Sequence, residues 1–449
     1  IVTEAIESGA LGFSTSRTIL HRDVHGVYVP GTEASSEEMK SLAFAIDKAG
    51  EGTLEIVSDW LDKEIEMSWM REYVEKSDCG LTVLQTSGDA VKTILFCEEQ
   101  FLKGKNVRPQ FPGRNVGMMF GLESSLHPFI GHPSYREIAD LPLSERVKIM
   151  KDPAFKEKLL NEKPNFASEI EKSMNEQGNT KSQEEIKEAA NLGLKLISNY
   201  DTQFILGDPP NYEPGKEDSI AALAKSKGIA ELEVIYDEFL KNEGTNLVYA
   251  CFTPYDNHKL DFVERAYSLK SSVAGGSDGG AHCGLICDAS MPTTNLSHWA
   301  RDREAGKKIP IELIVRKQTK DTAETYGLFD RGEIKTGMLA DLNIIDFEKL
   351  NVTHPKMVYD LPLGGRRLIQ TSSGYLATVK SGEVVYEAGE ATGVLPGKLI
   401  RGKQTCEVKT EKERVPFIDR TLRLMSVKAF KLLWNFRKSS VKTTVVSDD

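Results

Sequence analysis

Apolar and polar positions alternate along the first hundred residues with two periods. In GTEASSEEMKSLAFAIDKAG (31–50), Ser35 or Ser36 followed by acids forms a capping signal, and Met39, Leu42, Ala43 and Ile46 then recur at helical spacing. The short apolar run TLEIVS (53–58) reads as a buried strand, IEMSWMREYVEKSDCG (65–80) as a helix ending at a glycine, and LTVLQTS (81–87) as the next strand. The opening IVTEAIESGALG reads as the middle of a helix running into a loop, and leads to the expectation that the native protein carries residues before Ile1. This β-α-β-α rhythm predicts a parallel sheet or an α/β barrel.

The pattern changes over 133–245. Charge rises, prolines break the chain at ADLPLSERVKIMKDPAF and LGDPPNYEPGKED, and EDSIAALAKSKGIAELEVIYDEFLKNEG is helical. This span is expected to be a long helical insertion or an elaborated barrel connection. The α/β rhythm is expected to return with TNLVYACF (245–252) and SSVAGGSDGG (271–280). From about 331 to 402, short strands with turn glycines predict a small β domain with a hairpin turn at Ser381-Gly382. The tail 403–449 carries apolar residues at helical spacing and seven basic residues between Arg420 and Lys442. It is expected to be a surface helix docked on the body, with a partner or a membrane surface as the alternatives.

Composition narrows the function classes. At 449 residues the chain is long enough for two or three domains, and 40% hydrophobic residues can supply their cores. A net charge of −10 argues against general nucleic-acid binding. No apolar run approaches the ~18 residues of a membrane span. Six cysteines are too few for a disulfide scaffold, so a reducing compartment such as the cytoplasm is expected. The chain has no P-loop, no dinucleotide glycine fingerprint after a strand, no H-E-x-x-H and no C-x-x-C.

The chemistry concentrates in GGSDGGAHCG (275–284). GGSDG matches the nucleophile elbow G-x-S-x-G, which would make Ser277 a nucleophile. The histidines after it do not suit the usual order: His282 and His298 are too near, and His354 falls in the predicted β domain. Asp278 is the other candidate. A carboxylate at the C-terminal end of a barrel strand sits where such folds place their chemistry, and one Asp can take a proton from water and pass it to a leaving nitrogen. A turn in which Asp278 merely bonds its own backbone is the plain alternative.

Three stretches together, GALGFSTSRT with GVYVPGTEASSEEM (9–39), GGSDGGAH (275–282) and DTAETYGLFDRGEIKTGMLADLNIIDF (321–347), resemble the amidohydrolase superfamily and within it the N-acyl-D-amino-acid deacylase (D-aminoacylase) branch. The resemblance runs from residue 1 to about 402. It implies a metal-dependent (β/α)8 barrel, incomplete at the N-terminus, over 1–330, with a composite β-sandwich contributed by 331–402. It implies hydrolysis of the amide of an N-acyl amino acid with a divalent metal, zinc first. Asp278 would be the general base and acid and a possible metal contact. Arg17, Tyr28 and His282 would sit at the barrel mouth, with Arg17 suited to a substrate carboxylate.

The metal ligands depart from the family pattern. Its first pair of histidines would precede Ile1, and the middle positions are Val57 and Gln85, neither a zinc ligand. Asp59 or Glu55 are possible substitutes, as are His127 and His132 in LHPFIGHP, or Cys283 and Cys287 beside His282. A serine hydrolase using Ser277 and a non-catalytic relative that binds a ligand remain alternatives.

Overall fold

The structure, a computed structural model, describes residues 1–21, 27–60, 62–85, 91–166, 191 and 193–405. Eight strands precede residue 280: β1 Gly12–Arg17, β2 Thr53–Ser58, β3 Gly80–Leu84, β4 Val107–Pro112, β5 Val116–Phe120, β6 Gln203–Ile205, β7 Val248–Thr253 and β8 Val273–Gly275. Five of them form one parallel sheet in the order β1-β2-β3-β4-β8. Among the described residues β1 and β8 are its edges, so the α/β barrel architecture is present here as five of its parallel strands.

Local chemistry explains the helices between them. Ser35 caps the helix Ser36–Ala49 by accepting from Glu38 N at 3.2 Å, and Gly50, at φ +81°, ends it in the left-handed region that glycine adopts without strain. Asp62 caps Lys63–Lys76 in the same way through Ile65 N. That helix stops at Ser77, and Gly80 begins the next strand rather than closing the helix. Met39, Ala43, Ile46, Trp69, Met70 and Tyr73 on these helices pack onto Leu54, Ile56, Leu81, Val83 and Val107 of the sheet. The opposite face is polar. Gln110 Nε2 donates to Glu55 Oε1 at 2.9 Å and to the Tyr326 hydroxyl at 3.2 Å, and Thr53 Oγ1 donates to Thr325 O. The sheet is therefore amphipathic, with helices over its apolar face.

β7 does not join this sheet. Residues 248–253 instead form the centre of a three-stranded antiparallel sheet, β5-β7-β6. Periodicity signals a buried strand but not its partners, because pairing is decided by strands far off in sequence, one of them more than a hundred residues away. β4, read as VRPQFP, carries two prolines and an arginine and gives no strand pattern, yet all six residues are buried. The span 133–245 holds the helices Pro133–Arg136, Leu143–Met150, Pro153–Asn161, Ile220–Lys227 and Glu231–Phe239, the last two separated at Gly228 (φ +68°). Its core of Tyr135, Phe166, Ile220, Ile235 and Phe239 also includes Phe129 and, from the antiparallel sheet, Phe120 and Val248.

This part of the chain is tied to the segment after β8 by a buried ionic cluster. Glu213 accepts from Arg303 Nε at 2.9 Å and Nη2 at 3.0 Å, from His298 Nε2 at 2.8 Å and from Leu260 N at 3.1 Å. The guanidinium carbon of Arg303 lies over the Trp299 ring, 4.3 Å from its centroid.

Eight further strands follow: β9 Leu342–Ile345, β10 Asn351–Val352, β11 Lys356–Leu361, β12 Gly365–Ile369, β13 Ser372–Ser373, β14 Tyr375–Lys380, β15 Glu383–Glu387 and β16 Glu390–Ala391. β16-β15-β14-β9 form an antiparallel sheet, and β14 turns into β15 through Ser381 (φ +52°) and Gly382 (φ +86°), the hairpin geometry that needs two left-handed residues. Leu368 N of β12 donates to Cys283 O at 2.7 Å, fastening this region to the loop after β8. The basic part of the tail, 406–449, lies outside the described residues. Among those described, no helix is long and apolar enough to cross a membrane, and five cysteines are free thiols.

Candidate functional site

The C-terminal ends of the parallel strands gather the candidate residues. A flat sheet would set its edge strands β1 and β8 about 19 Å apart, four strand spacings. The loops that follow them nevertheless bring the rings of His21 and His282 to 6.5 Å between centroids. Between these loops and the helix Ser36–Ala49 opens a cleft of about 720 Å³, lined by Phe13, Ser14, Ser16, Leu20, His21, Val29, Met39, Leu42 and His282 among others.

Asp278 lies three residues beyond β8, exposed, with φ +40°. His282 is exposed with φ +49°. Left-handed backbone at two non-glycine residues within five positions is strain of the kind that clusters at working sites. Ala281 N donates to Asp278 O at 3.2 Å, which closes the turn through the backbone. Ser277 is half-buried and is not the left-handed apex. No helix follows it directly; the chain stays irregular until Met291. The strand-turn-helix context of a nucleophile elbow is thus missing. His354, the distant base that reading would need, bonds Pro355 O in the β region instead.

Behind the loop sits a second acid. Asp288 is 2% exposed and pairs with the fully buried Arg114 at 3.0 Å. A Cβ on Gly279 would lie 3.6 Å from Ala289 Cβ, so the Asp278 turn rests on the Asp288 segment. Burial pushes the Asp288 carboxyl up to about 6; Arg114 opposes the rise and the charge of Asp278 adds to it. Neither Asp288 nor Arg114 stood out in the sequence, where each is a single charge among 124.

The other sequence candidates fall as follows. Arg17 is engaged: its Nε donates to Glu66 Oε1 at 2.7 Å and its Nη1 to Gly31 O at 3.1 Å and Ala34 O at 2.8 Å. It holds the 31–34 turn over β1. Gly31 is required there, because a Cβ would stand 2.1 Å from Thr15 Oγ1 and 2.7 Å from Ser16 O. Tyr28 is half-buried beside that turn. Glu55 is bonded to Gln110, and Asp59 Oδ2 accepts from Ile19 N at 2.8 Å. Gln85 is buried, and its amide has no hydrogen-bond partner among the described residues. Cys283 Sγ donates to Gly280 O, and burial pushes the Cys287 thiol up to about 11.

His127 and His132 are buried in the aromatic core instead. His127 meets Tyr135 and Phe239 edge-on at 4.8 and 6.0 Å, and burial, reinforced by Arg146, Arg366 and His132, lowers its pKa to about 3. Burial likewise lowers that of His132. Neither joins Asp278 in a ligand group: among the described residues no three His, Cys, Asp or Glu side chains come together as a metal cage. The described donors therefore do not fit the divalent metal that the resemblance implies.

His21 was missed by sequence reasoning. Its nearest partner, Ser16 Oγ at 2.7 Å from Nδ1, is five residues away, and His282 lies across the sheet. Only the fold joins these positions.

A D-aminoacylase structure concerned with the functional role of its binuclear metal centre, with one-metal activation and second-metal attenuation, overlays at 16% identity and a TM-score of 0.45. A crystal structure of D-aminoacylase that defines a novel subset of amidohydrolases overlays at 17% identity and a TM-score of 0.43. Each comparison covers 87% of this chain, and this chain spans 63% of the length of each D-aminoacylase chain. No curated protein matches significantly. A sequence model of the amidohydrolase family matches residues 1–386, and on that match over most of its length the chain belongs to the amidohydrolase family.

Proposed function

We propose that this protein hydrolyses the amide, a non-peptide carbon–nitrogen bond, of an N-acyl amino acid, as a D-aminoacylase-like enzyme, with Asp278 as general base and then general acid. The observation that carries the reading is the position of Asp278: exposed, in a left-handed turn immediately beyond β8, on the loop that reaches the cleft through His282. A carboxylate so placed takes a proton from water as the water oxygen attacks the acyl carbon. It returns that proton to the amine nitrogen as the carbon–nitrogen bond breaks. His282 and Tyr28 belong to this proposal as groups at the mouth, and Arg17 as the residue that fixes the turn over β1. A divalent metal, zinc first, remains an expectation from the resemblance. The described donors form no cage for one, so neither proton transfer is routed through it. The division into a barrel over 1–330, a helical insertion about 133–245, a β region over 331–402 and a tail is part of the same proposal.

The test is release of free amino acid from N-acyl amino acids by the wild type and by Asp278→Asn. That the described donors form no cage favours one other reading, a non-catalytic relative whose cleft binds such a ligand without turning it over. Binding without amine release by the wild type would select it.

A further inference from the structure

The cleft has an apolar wall of Phe13, Leu20, Val29, Met39 and Leu42, and its described lining contains no lysine or arginine. An N-acyl amino acid nevertheless carries a carboxylate that must be met by donors. Arg17, the obvious group in the sequence, is taken by Glu66, Gly31 and Ala34, and only 10% of its side chain is exposed. Beside the hydroxyls of Ser14, Thr15 and Ser16, the lining offers two imidazoles. His21 is exposed and oriented by Ser16 Oγ at its Nδ1, which leaves Nε2 as the other ring nitrogen; His282 is exposed on the opposite loop. Their ring centroids lie 6.5 Å apart with the planes tilted by 37°. A carboxylate oxygen accepts an N–H at about 2.8 Å, so one carboxylate approached obliquely by both rings fits that separation. His282 lines the cleft from a left-handed backbone, a conformation that costs strain and is often found at binding residues.

We propose that His21 and His282 together hold the substrate carboxylate, making the cleft selective for anionic N-acyl amino acids over neutral amides. The proposal rests on the hydrolase reading for its substrate but not for its test. Two further groups bear on it. Glu38, also on the lining, repels an anion at the far wall, so the carboxylate is confined to the histidine end. Arg366 of β12 is the competing cation: its Nε lies 3.6 Å from where a Cβ on Gly284 would stand.

The experiment titrates N-acetylleucine, both enantiomers, and neutral N-acetylleucinamide into the protein. Affinity is read by calorimetry, and contact by the imidazole proton shifts, assigned with His21→Gln and His282→Gln. The acid is expected to bind about 100-fold tighter than the amide, about tenfold for each of the two charge-assisted hydrogen bonds. Each substitution is expected to remove about tenfold of acid affinity while changing amide affinity less than twofold. Equal binding of acid and amide by the wild type, undetectable binding of both, or selective loss with Arg366→Gln in place of the histidines overturns the proposal. Turnover is scored separately: persistent hydrolysis by Asp278→Asn sinks the catalytic reading and leaves the carboxylate result standing.

Discussion

Replacing Glu213 by Gln tests the buried joint between the inserted residues and the segment after β8. Glu213 is 7% exposed and Arg303 1% exposed. Burial alone would raise the Glu213 carboxyl, but hydrogen bonds from His298 and Arg303 overcome it and hold it at about 2 against an ordinary 4.5. That difference corresponds to about 3 kcal/mol of native stability at neutral pH. Solvent reaches His298, whose side chain is 17% exposed, so the ionic part is expected nearer 2 kcal/mol, roughly. Removing the charge also strands Arg303 with Glu264 alone, which brings the expected loss to about 2–4 kcal/mol at pH 7. The sign follows from the depressed value. The stabilisation is fully present above pH 4.5 and is lost as the pH falls through about 2. Urea unfolding followed by tryptophan fluorescence is the assay, since Trp299 packs on Arg303 and reports this joint. A gap between wild type and Glu213→Gln that is absent at pH 7, or is as large at pH 2 as at pH 7, would refute the reasoning.

Three further outcomes are expected. Ser277→Ala should leave amide hydrolysis within about twofold of wild type, because general acid–base work here rests on the neighbouring carboxylate; amine release is the readout. Gly31→Ala should push the 31–34 turn off β1, since its Cβ would stand 2.1 Å from Thr15 Oγ1, and should lower thermal stability by about 1–3 kcal/mol in calorimetry. Dialysis against a chelator should leave the unfolding midpoint of this chain unchanged, because no three described donors gather; a drop restored by added zinc would contradict that donor arrangement.

The sequence made local features legible where local chemistry decides them. Ser35 as a cap, the strand at 53–58 and the Ser381-Gly382 turn each follow from a handful of adjacent residues, and the structure contains all three. What depends on distant pairing was not legible. β7 looks like any buried strand, and β4 looks like a proline-broken loop, until the sheets assign them. The candidate site shows the same division. Asp278 and His282 share one glycine-rich stretch and could be singled out. His21, Asp288 and Arg114 take their roles from neighbours in other loops. Arg17 shows the converse: an arginine that reads in the sequence as suited to a substrate carboxylate pairs with Glu66, forty-nine residues on, a contact that only the fold makes.

The most direct measurement of the central claim is amine release from N-acyl amino acids by Asp278→Asn, beside wild type with the same unfolding midpoint. The account predicts a fall of at least about 100-fold in kcat for the variant, the contribution of a general acid–base group. Turnover equal to wild type would contradict it.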